Sequence, residues 1–295
     1  MKIIEPKAEV ILQDGFDMIN HIANIARVCY GKDVDGSNPS STGGLDKDNI
    51  LIKSLIASRH YSVFRHWIHY FIVPRSNVDA HKFYLIYEVS PYVRVARDNN
   101  NFYINFNHHF AIDHYKYYEC LKEYEVSYEH FSNTELGYQL CWLTFKCVTQ
   151  ISTSREFNRV SPNNIVERST RYCYEEGEIV RPHWMKSEDA TFINVTSSLS
   201  NEWIHNNKPL YKYVWACIEG FTNYKELVLL GLPKQDARGV LPLDTKTVVV
   251  YTYPIDIWKR IINLRYYGTT GKSHENAKIL AGIIRNKINE LGYEL

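Results

Sequence analysis

The sequence predicts an α+β fold, a mixed antiparallel sheet flanked by helices, on three observations. Short runs rich in β-branched and aromatic residues alternate as strands do, other stretches repeat apolar residues at helical spacing, and the two kinds follow no βαβ rhythm. At 295 residues the chain is long enough to bury a substantial core. It is read as one domain over 1–295 with an elaboration at about 74–140.

The elements follow in order. Asp14 is placed to cap a helix in which Phe16, Ile19, Ala23, Ala26 and Cys29 or Tyr30 recur at helical spacing. The Gly, Ser, Asn and Pro content of 31–44 marks a long exposed loop, and 47–58 makes a second helix with Ile52, Leu55 and Ile56 on one side. WIHYFIV at 67–73 reads as a strand. Two alternating runs around Asp98, Asn99, Asn100 and Asn101 make a hairpin of 93–107, followed by an aromatic, charged helix over 108–131. CWLTFKCVT at 141–149 is a strand, and helices follow at 186–205 and at 209–230, the second ending at Gly231. TKTVVVYTY at 245–253 is a strong strand; Pro254 suits the first turn of a helix to Tyr267, and 273–291 closes as a helix before Gly292.

Composition excludes several classes. A net charge of +1 argues against a surface that coats nucleic-acid polymers. No window approaches 18 consecutive apolar residues and MKIIEPKAEV lacks the long apolar region of a signal peptide, so a cytoplasmic protein without membrane contact is expected. The six cysteines form no CxxC pair, and free thiols are expected. His60, His66 and His69 fall in a region read as strand with no carboxylate near in sequence, so no metal site is expected. The dinucleotide, P-loop and GxSxG motifs are all absent. The 23 tyrosines suit a core and an oligomer interface.

Residues 153–174, TSREFNRVSPNNIVERSTRYCY, carry the chemistry. No apolar period runs through them, and arginine, hydroxyl and amide groups crowd together, the composition of an anion site. Arg159 and Arg171 are separated by a Pro-Asn-Asn loop that allows both guanidinium groups to converge on one ligand. A solvated loop with surface ion pairs is the bland alternative. Three further stretches stand out: 58–66 at a helix-to-strand junction, the Gly- and Pro-bounded turn 236–242, and Asn263-Leu264-Arg265 at a helix end.

Taken in order, these motifs resemble the flavin-dependent thymidylate synthases, the ThyX family. The resemblance lies in ARVCY (26–30), in LIASRHYSVFRH (55–66) where the family has LI-x-x-GHES-x-x-EH, and in LTFKCVT followed by REFNRVS-x7-STRYC. It continues through DARGVLPLDTKT (236–247) and WKRIINLR (258–265). It implies an α+β homotetramer with active sites at subunit junctions and FAD as cofactor. It also implies methylation of dUMP at carbon 5, with methylene-tetrahydrofolate giving the carbon and NADPH the hydride through the flavin. By resemblance Arg159, Ser169, Arg171, Arg238 and Arg265 bind the pyrimidine nucleotide, with Arg265 the catalytic, activating group. His60 and Ser62 match positions near flavin and folate, and Arg159 and Arg65 join them as cofactor-side residues. No Pro-Cys pair occurs, which agrees with chemistry that uses no cysteine nucleophile.

The departures fall on the flavin side. The family's Arg-His-Arg triplet is Arg159-Val160-Ser161 here, the glutamate expected in the first motif is Arg65, and Pro254 and Arg260 replace late-helix groups that contact FAD. Three readings stay open: a methylating thymidylate synthase whose FAD is held by substitutes such as Arg65 and Arg260; a pyrimidine-nucleotide enzyme with weakened or lost FAD, making a hydroxymethyl product or acting on another base; and a non-catalytic nucleotide-binding or scaffold subunit.

Overall fold

The computed structural model of the chain describes residues 1–13, 15, 17–31, 44–90, 92–160, 164–196 and 200–294. Its strands are β1 (Lys2–Ile4), β2 (Lys7–Ile11), β3 (Ile68–Pro74), β4 (Val93–Arg97), β5 (Asn101–Asn107), β6 (Glu125–Val126), β7 (Trp142–Gln150), β8 (Ile165–Glu167), β9 (Glu178–Val180) and β10 (Lys246–Pro254). The expected α+β class is observed, with the strands in three sheets: an antiparallel sheet in the order β2-β7-β10-β8, a second antiparallel sheet in the order β4-β5-β3-β6, and a parallel pair of β1 with β9.

The period of two in TKTVVVYTY builds the first core. Val249, Tyr251 and Tyr253 of β10 face one way, against Trp258 and Ile261 of the helix Ile255–Ile262 and Leu280 and Ile284 of the helix Glu275–Glu290. Val248 and Val250 face the other way, against Ile22 and Ile25 of the helix Met18–Val28 and Ile52 and Leu55 of the helix Gly44–Ala57. The sheet is therefore buried on both faces, which its apolar strands require. Trp258 is fully buried and its indole N–H donates to the Leu143 carbonyl at 3.0 Å.

The same alternation in β3 splits the second sheet. Ile68 and Tyr70 join the first core, whereas Phe71 and Val73 join Phe102, Ile104 and Phe106 of β5 under the helix Val78–Tyr87. Much of the segment 74–140 thus contributes to a second aromatic core built on β3.

Several elements differ from expectation. The first helix is capped by Asp17, whose carboxylate accepts from the Asn20 N–H at 3.1 Å; the proposed cap Asp14, Phe16 and most of the expected loop 31–44 lie outside the described residues. The single helix expected at 108–131 is broken into His108–Asp113, Tyr115–Leu121 and Tyr128–Ser132, because Asn107 and Ser127 each cap a new start and β6 intervenes. The region 61–66, read as strand, is a 3₁₀ turn Tyr61–His66. Pro254 ends β10 and stands just before its helix rather than inside the first turn. Helices Val78–Tyr87 and Ile151–Asn158 and strands β1, β2, β8 and β9 carried no sequence expectation. No helix among the described residues is long and apolar enough to cross a membrane.

Candidate functional site

The polar helix Ile151–Asn158 organises the site. It has no broad apolar face; Phe157 enters the core, while Thr153 and Ser154 are buried and pinned by hydrogen bonds. Thr153 Oγ1 donates to Gln150 Oε1 at 2.8 Å, and Ser154 Oγ donates to Glu167 Oε1 at 2.8 Å. Glu167 also accepts from Thr247 Oγ1 at 2.9 Å, so one carboxylate ties the helix to β8 and β10. Tyr251 Oη donates to Asn158 Oδ1 at 3.0 Å and fixes the far end.

After β8 the chain turns at 168–174. The Ser169 N–H donates to the Cys29 carbonyl at 3.0 Å, and the Ser169 carbonyl accepts from Tyr172 and Cys173 at 3.1 and 2.9 Å. Gly31 makes this docking possible. It adopts φ +67°, and a Cβ there would stand 2.9 Å from Cys173 Sγ. Arg168 pairs with Glu175 and donates to the Tyr174 carbonyl at 2.9 Å. Burial pushes Glu175 up from the usual carboxylate range and Arg168 pulls it back.

The segment Lys234–Val240 closes the site from the far side. Lys234 Nζ donates to the Tyr172 carbonyl at 3.1 Å, Arg171 reaches Gln235 Oε1 at 3.3 Å through Nη2, and Arg238 Nη1 donates to Thr170 Oγ1 at 3.0 Å. Gly220, on the helix Lys208–Leu229, lets this turn approach; a Cβ there would lie 2.9 Å from the Val240 carbonyl oxygen. Between these parts lies a cavity of about 360 Å³ whose lining includes Ile151, Arg155, Thr170, Arg238 and Leu241.

Of the residues singled out in the sequence, Ser169, Arg171 and Arg238 are brought together around this turn. Arg265 reaches the same helix from behind. It lies in a π-helical turn, Asn263–Tyr267, and its Nε and Nη2 donate to the Glu156 carbonyl at 3.0 and 2.6 Å. Its Nη1 stands 3.7 Å from the Glu156 carboxylate. Arg159 follows the helix with its side chain 72% exposed, 3.7 Å from the same carboxylate. The arginines that line the cavity together are Arg155 and Arg238. Arg155 was missed, although its spacing of four from Arg159 puts the two on one helical face.

His60, Ser62 and Arg65 lie elsewhere. The buried residues Val63 and Phe64 of their 3₁₀ turn join the cluster that holds Val166 of β8. His60 and Ser62 are exposed, and Arg65 Nε donates to His109 Nδ1 at 2.9 Å. The backbone enters this turn through Arg59 at φ +55°, an uncommon value for a side-chain-bearing residue. His66 is fully buried, with Nδ1 2.7 Å from Thr252 Oγ1, and burial lowers it to about 3. His69, expected to lack a nearby carboxylate, has Glu125 at 2.5 Å, brought from 56 residues away by the pairing of β3 with β6. Val160 is buried in the first core, and Ser161 lies outside the described residues.

The family model described as thymidylate synthase complementing protein matches residues 98–288. No curated protein matches the chain. Two solved structures resemble it along most of its length. A UMP/dUMP methylase, PolB, from Streptomyces cacaoi bound with 5-Br dUMP is 14% identical, with 99% of this chain and 93% of that chain covered at a TM-score of 0.45. The same protein bound with 5-Br UMP is 15% identical, with 99% and 92% covered at a TM-score of 0.44.

Proposed function

The chain belongs to the thymidylate synthase complementing protein family, and from that premise we propose that it is a pyrimidine-nucleotide carbon-5 one-carbon transferase. Methylation of dUMP to dTMP with methylene-tetrahydrofolate is its first candidate reaction. It acts as a single ThyX-like domain in a cytoplasmic homotetramer. The observation that supports this best is the arginine-lined cavity beside the Ser169 turn. A nucleoside monophosphate carries a dianionic phosphate, and Arg155 and Arg238 offer planar forks of donors to its oxygens, with Ser169 and Arg171 on the adjoining turn.

Arg265 is the activating group in this reading. Two of its donors are held by the Glu156 carbonyl, so its guanidinium is fixed before substrate arrives. A fixed cation against a uracil carbonyl stabilises the negative charge that builds as carbon 5 becomes nucleophilic, without reorganisation at the moment of reaction.

The flavin side fits less well. FAD would supply hydride to complete a methyl group, drawn from NADPH. Among the described residues of one chain, the candidates for holding it do not form a cradle: His60 and Ser62 are exposed, Arg65 donates to His109, and Val160 is turned into the core. The burial of Val160 favours a second reading, transfer of the one-carbon unit followed by hydration to a hydroxymethyl group, which needs no hydride.

Calorimetry with dUMP, dCMP and UMP tests the nucleotide site. Arg238→Ala is expected to weaken binding by about 1.5–3 kcal/mol, the range for a hydrogen bond to a charged group, with thermal stability unchanged. Unaltered affinity in both Arg238→Ala and Arg171→Ala sinks the assignment. Product masses from incubation with methylene-tetrahydrofolate, with and without NADPH, separate methyl from hydroxymethyl transfer. Absorbance near roughly 450 nm, a property of the cofactor, reports whether flavin is carried.

A further inference from the structure

The helix Ile151–Asn158 brings Arg155 to the cavity and has no broad apolar face to dock it, so whatever fixes its far end bears on the site. The last four carbonyls of a helix have no partner inside it. Here the Glu156 carbonyl, one of those four, accepts from Arg265 Nε at 3.0 Å and from Nη2 at 2.6 Å. A cation at that end also interacts favourably with the helix dipole. Arg265 is therefore a cap on the helix that carries Arg155, and it comes from a distant part of the chain.

Arg265 reaches the cap because its own helix widens. Ile255–Ile262 runs into the π turn Asn263–Tyr267, which the Gly268 N–H closes on the Asn263 carbonyl. Gly268 leaves the turn at φ +68°, and a Cβ there would stand 3.0 Å from the Gly271 carbonyl oxygen. A π turn holds one residue more than an α turn, and a slip of one residue swings side chains by about 100°. The direction of Arg265 thus depends on what holds this turn in place.

The helix Glu275–Glu290 packs a clasp against it. The Arg285 guanidinium carbon lies 5.2 Å from the centre of the Tyr266 ring and 5.7 Å from that of Tyr267, two rings that meet edge to face 5.0 Å apart. Arg285 Nε is buried with no hydrogen-bond partner among the described residues, and cation–π attraction to the two rings engages the guanidinium instead. Gly282 lies three residues earlier on the same helical face. It admits the Tyr266 ring, since a Cβ there would stand 3.1 Å from Tyr266 Cε2.

We propose that Arg285 and Gly282 are positioning residues for the nucleotide site. By clasping Tyr266 and Tyr267 they hold the π turn in the register at which Arg265 caps the helix Ile151–Asn158, and through that cap they set where Arg155 stands in the cavity. Neither residue touches the ligand. The functional consequence rests on the nucleotide reading, whereas the clasp and the cap stand on the contacts alone.

Two measurements on the full chain test it. In nitrogen-15 spectra of the arginine side chains, the Arg265 Nε–H, identified by its loss in Arg265→Lys, is expected to exchange slowly with water. Arg285→Met and Gly282→Ala are each expected to speed that exchange about tenfold, with Arg285→Lys between them and the wild type. Unchanged exchange in both Arg285→Met and Gly282→Ala overturns the clasp whether or not any nucleotide binds. Calorimetry with dUMP and UMP follows the effect to the cavity. Arg285→Met is expected to weaken binding about fivefold in the wild-type chain and less than about twofold in an Arg155→Ala chain, as for residues coupled in one network. Gly282→Ala repeats the cycle, so that one poorly folding variant does not decide it. Equal losses in the two backgrounds, as a general loosening of the fold would give, overturn the proposal. If Arg155→Ala leaves the affinity for both nucleotides unchanged, the cavity reading fails and the positioning role with it, while the exchange rates still decide the clasp.

Discussion

Two regions meet at β8, and they hold their polar groups in opposite ways. Around the 168–174 turn Arg155, Arg159, Arg171 and Arg238 are all exposed. On the 3₁₀ side His21, His66 and His69 are at most 9% exposed. An exposed guanidinium keeps its hydration until a ligand arrives and adds little to stability. A buried imidazole has already given up water, so its hydrogen bonds belong to the fold. Substitutions in the first region should therefore move ligand affinity without moving stability, and those in the second the reverse.

The largest effect expected is on the buried side. His69→Ala removes the partner of both Glu125 and His108 and opens a void among Phe71, Phe106 and Tyr118. It is expected to cost about 3 kcal/mol in denaturant unfolding, from lost packing and unsatisfied polar groups, with nucleotide affinity unchanged. A variant as stable as wild type but weaker in binding would erase the contrast.

Acid sharpens the contrast without mutation. Burial is the main cause that lowers His21 to about 4 and His66 to about 3 from an ordinary 6.5. Below the ordinary value the unfolded chain takes up protons that these rings refuse in the fold, so stability is full above about 6.5 and falls as pH drops toward 4. Between pH 7 and 5.5 the two together are expected to remove about 2 kcal/mol, read as a lower urea midpoint. The corresponding loss is not expected from the arginine side, where no histidine among the described residues lines the cavity. A midpoint that stays level over this interval would mean that the two rings titrate normally.

What the sequence made legible follows the same division. The strand TKTVVVYTY, the hairpin around Asp98 to Asn101 and the helices Lys208–Leu229 and Glu275–Glu290 were readable because burial imposes a period on apolar residues. The motif arginines stood out in the sequence by composition, but the helix that carries Arg155 did not. STSREFN has no apolar period, since that helix is held by Gln150, Glu167 and Tyr251 through side-chain hydrogen bonds. Its one local sign was the pair of arginines four residues apart, and without the helix Arg155 passed unnoticed. Nor did local pattern join Glu125 to His69. Their contact depends on β6 adding to the edge of β3, a long-range pairing that two residues of strand do not announce.

The smallest effect expected belongs to Arg159, and it bears on how far the exposed site extends. Arg159 sits one helical turn beyond Arg155, and its ion pair with Glu156 spans 3.7 Å with the arginine side chain 72% exposed. Such a pair is worth little, so Arg159→Ala should change folding stability by less than about 0.5 kcal/mol. If Arg159 acts on a nucleotide in the neighbouring cavity only through its charge, the loss of affinity should be about twofold to threefold and should fade with added salt, since screening removes exposed interactions beyond about 10 Å at 0.1 M. A tenfold loss that persists in salt would mean direct contact with the ligand. The site would then run along the whole Arg155 to Arg159 face of the helix, past the described cavity, as the resemblance to the ThyX enzymes had suggested for Arg159.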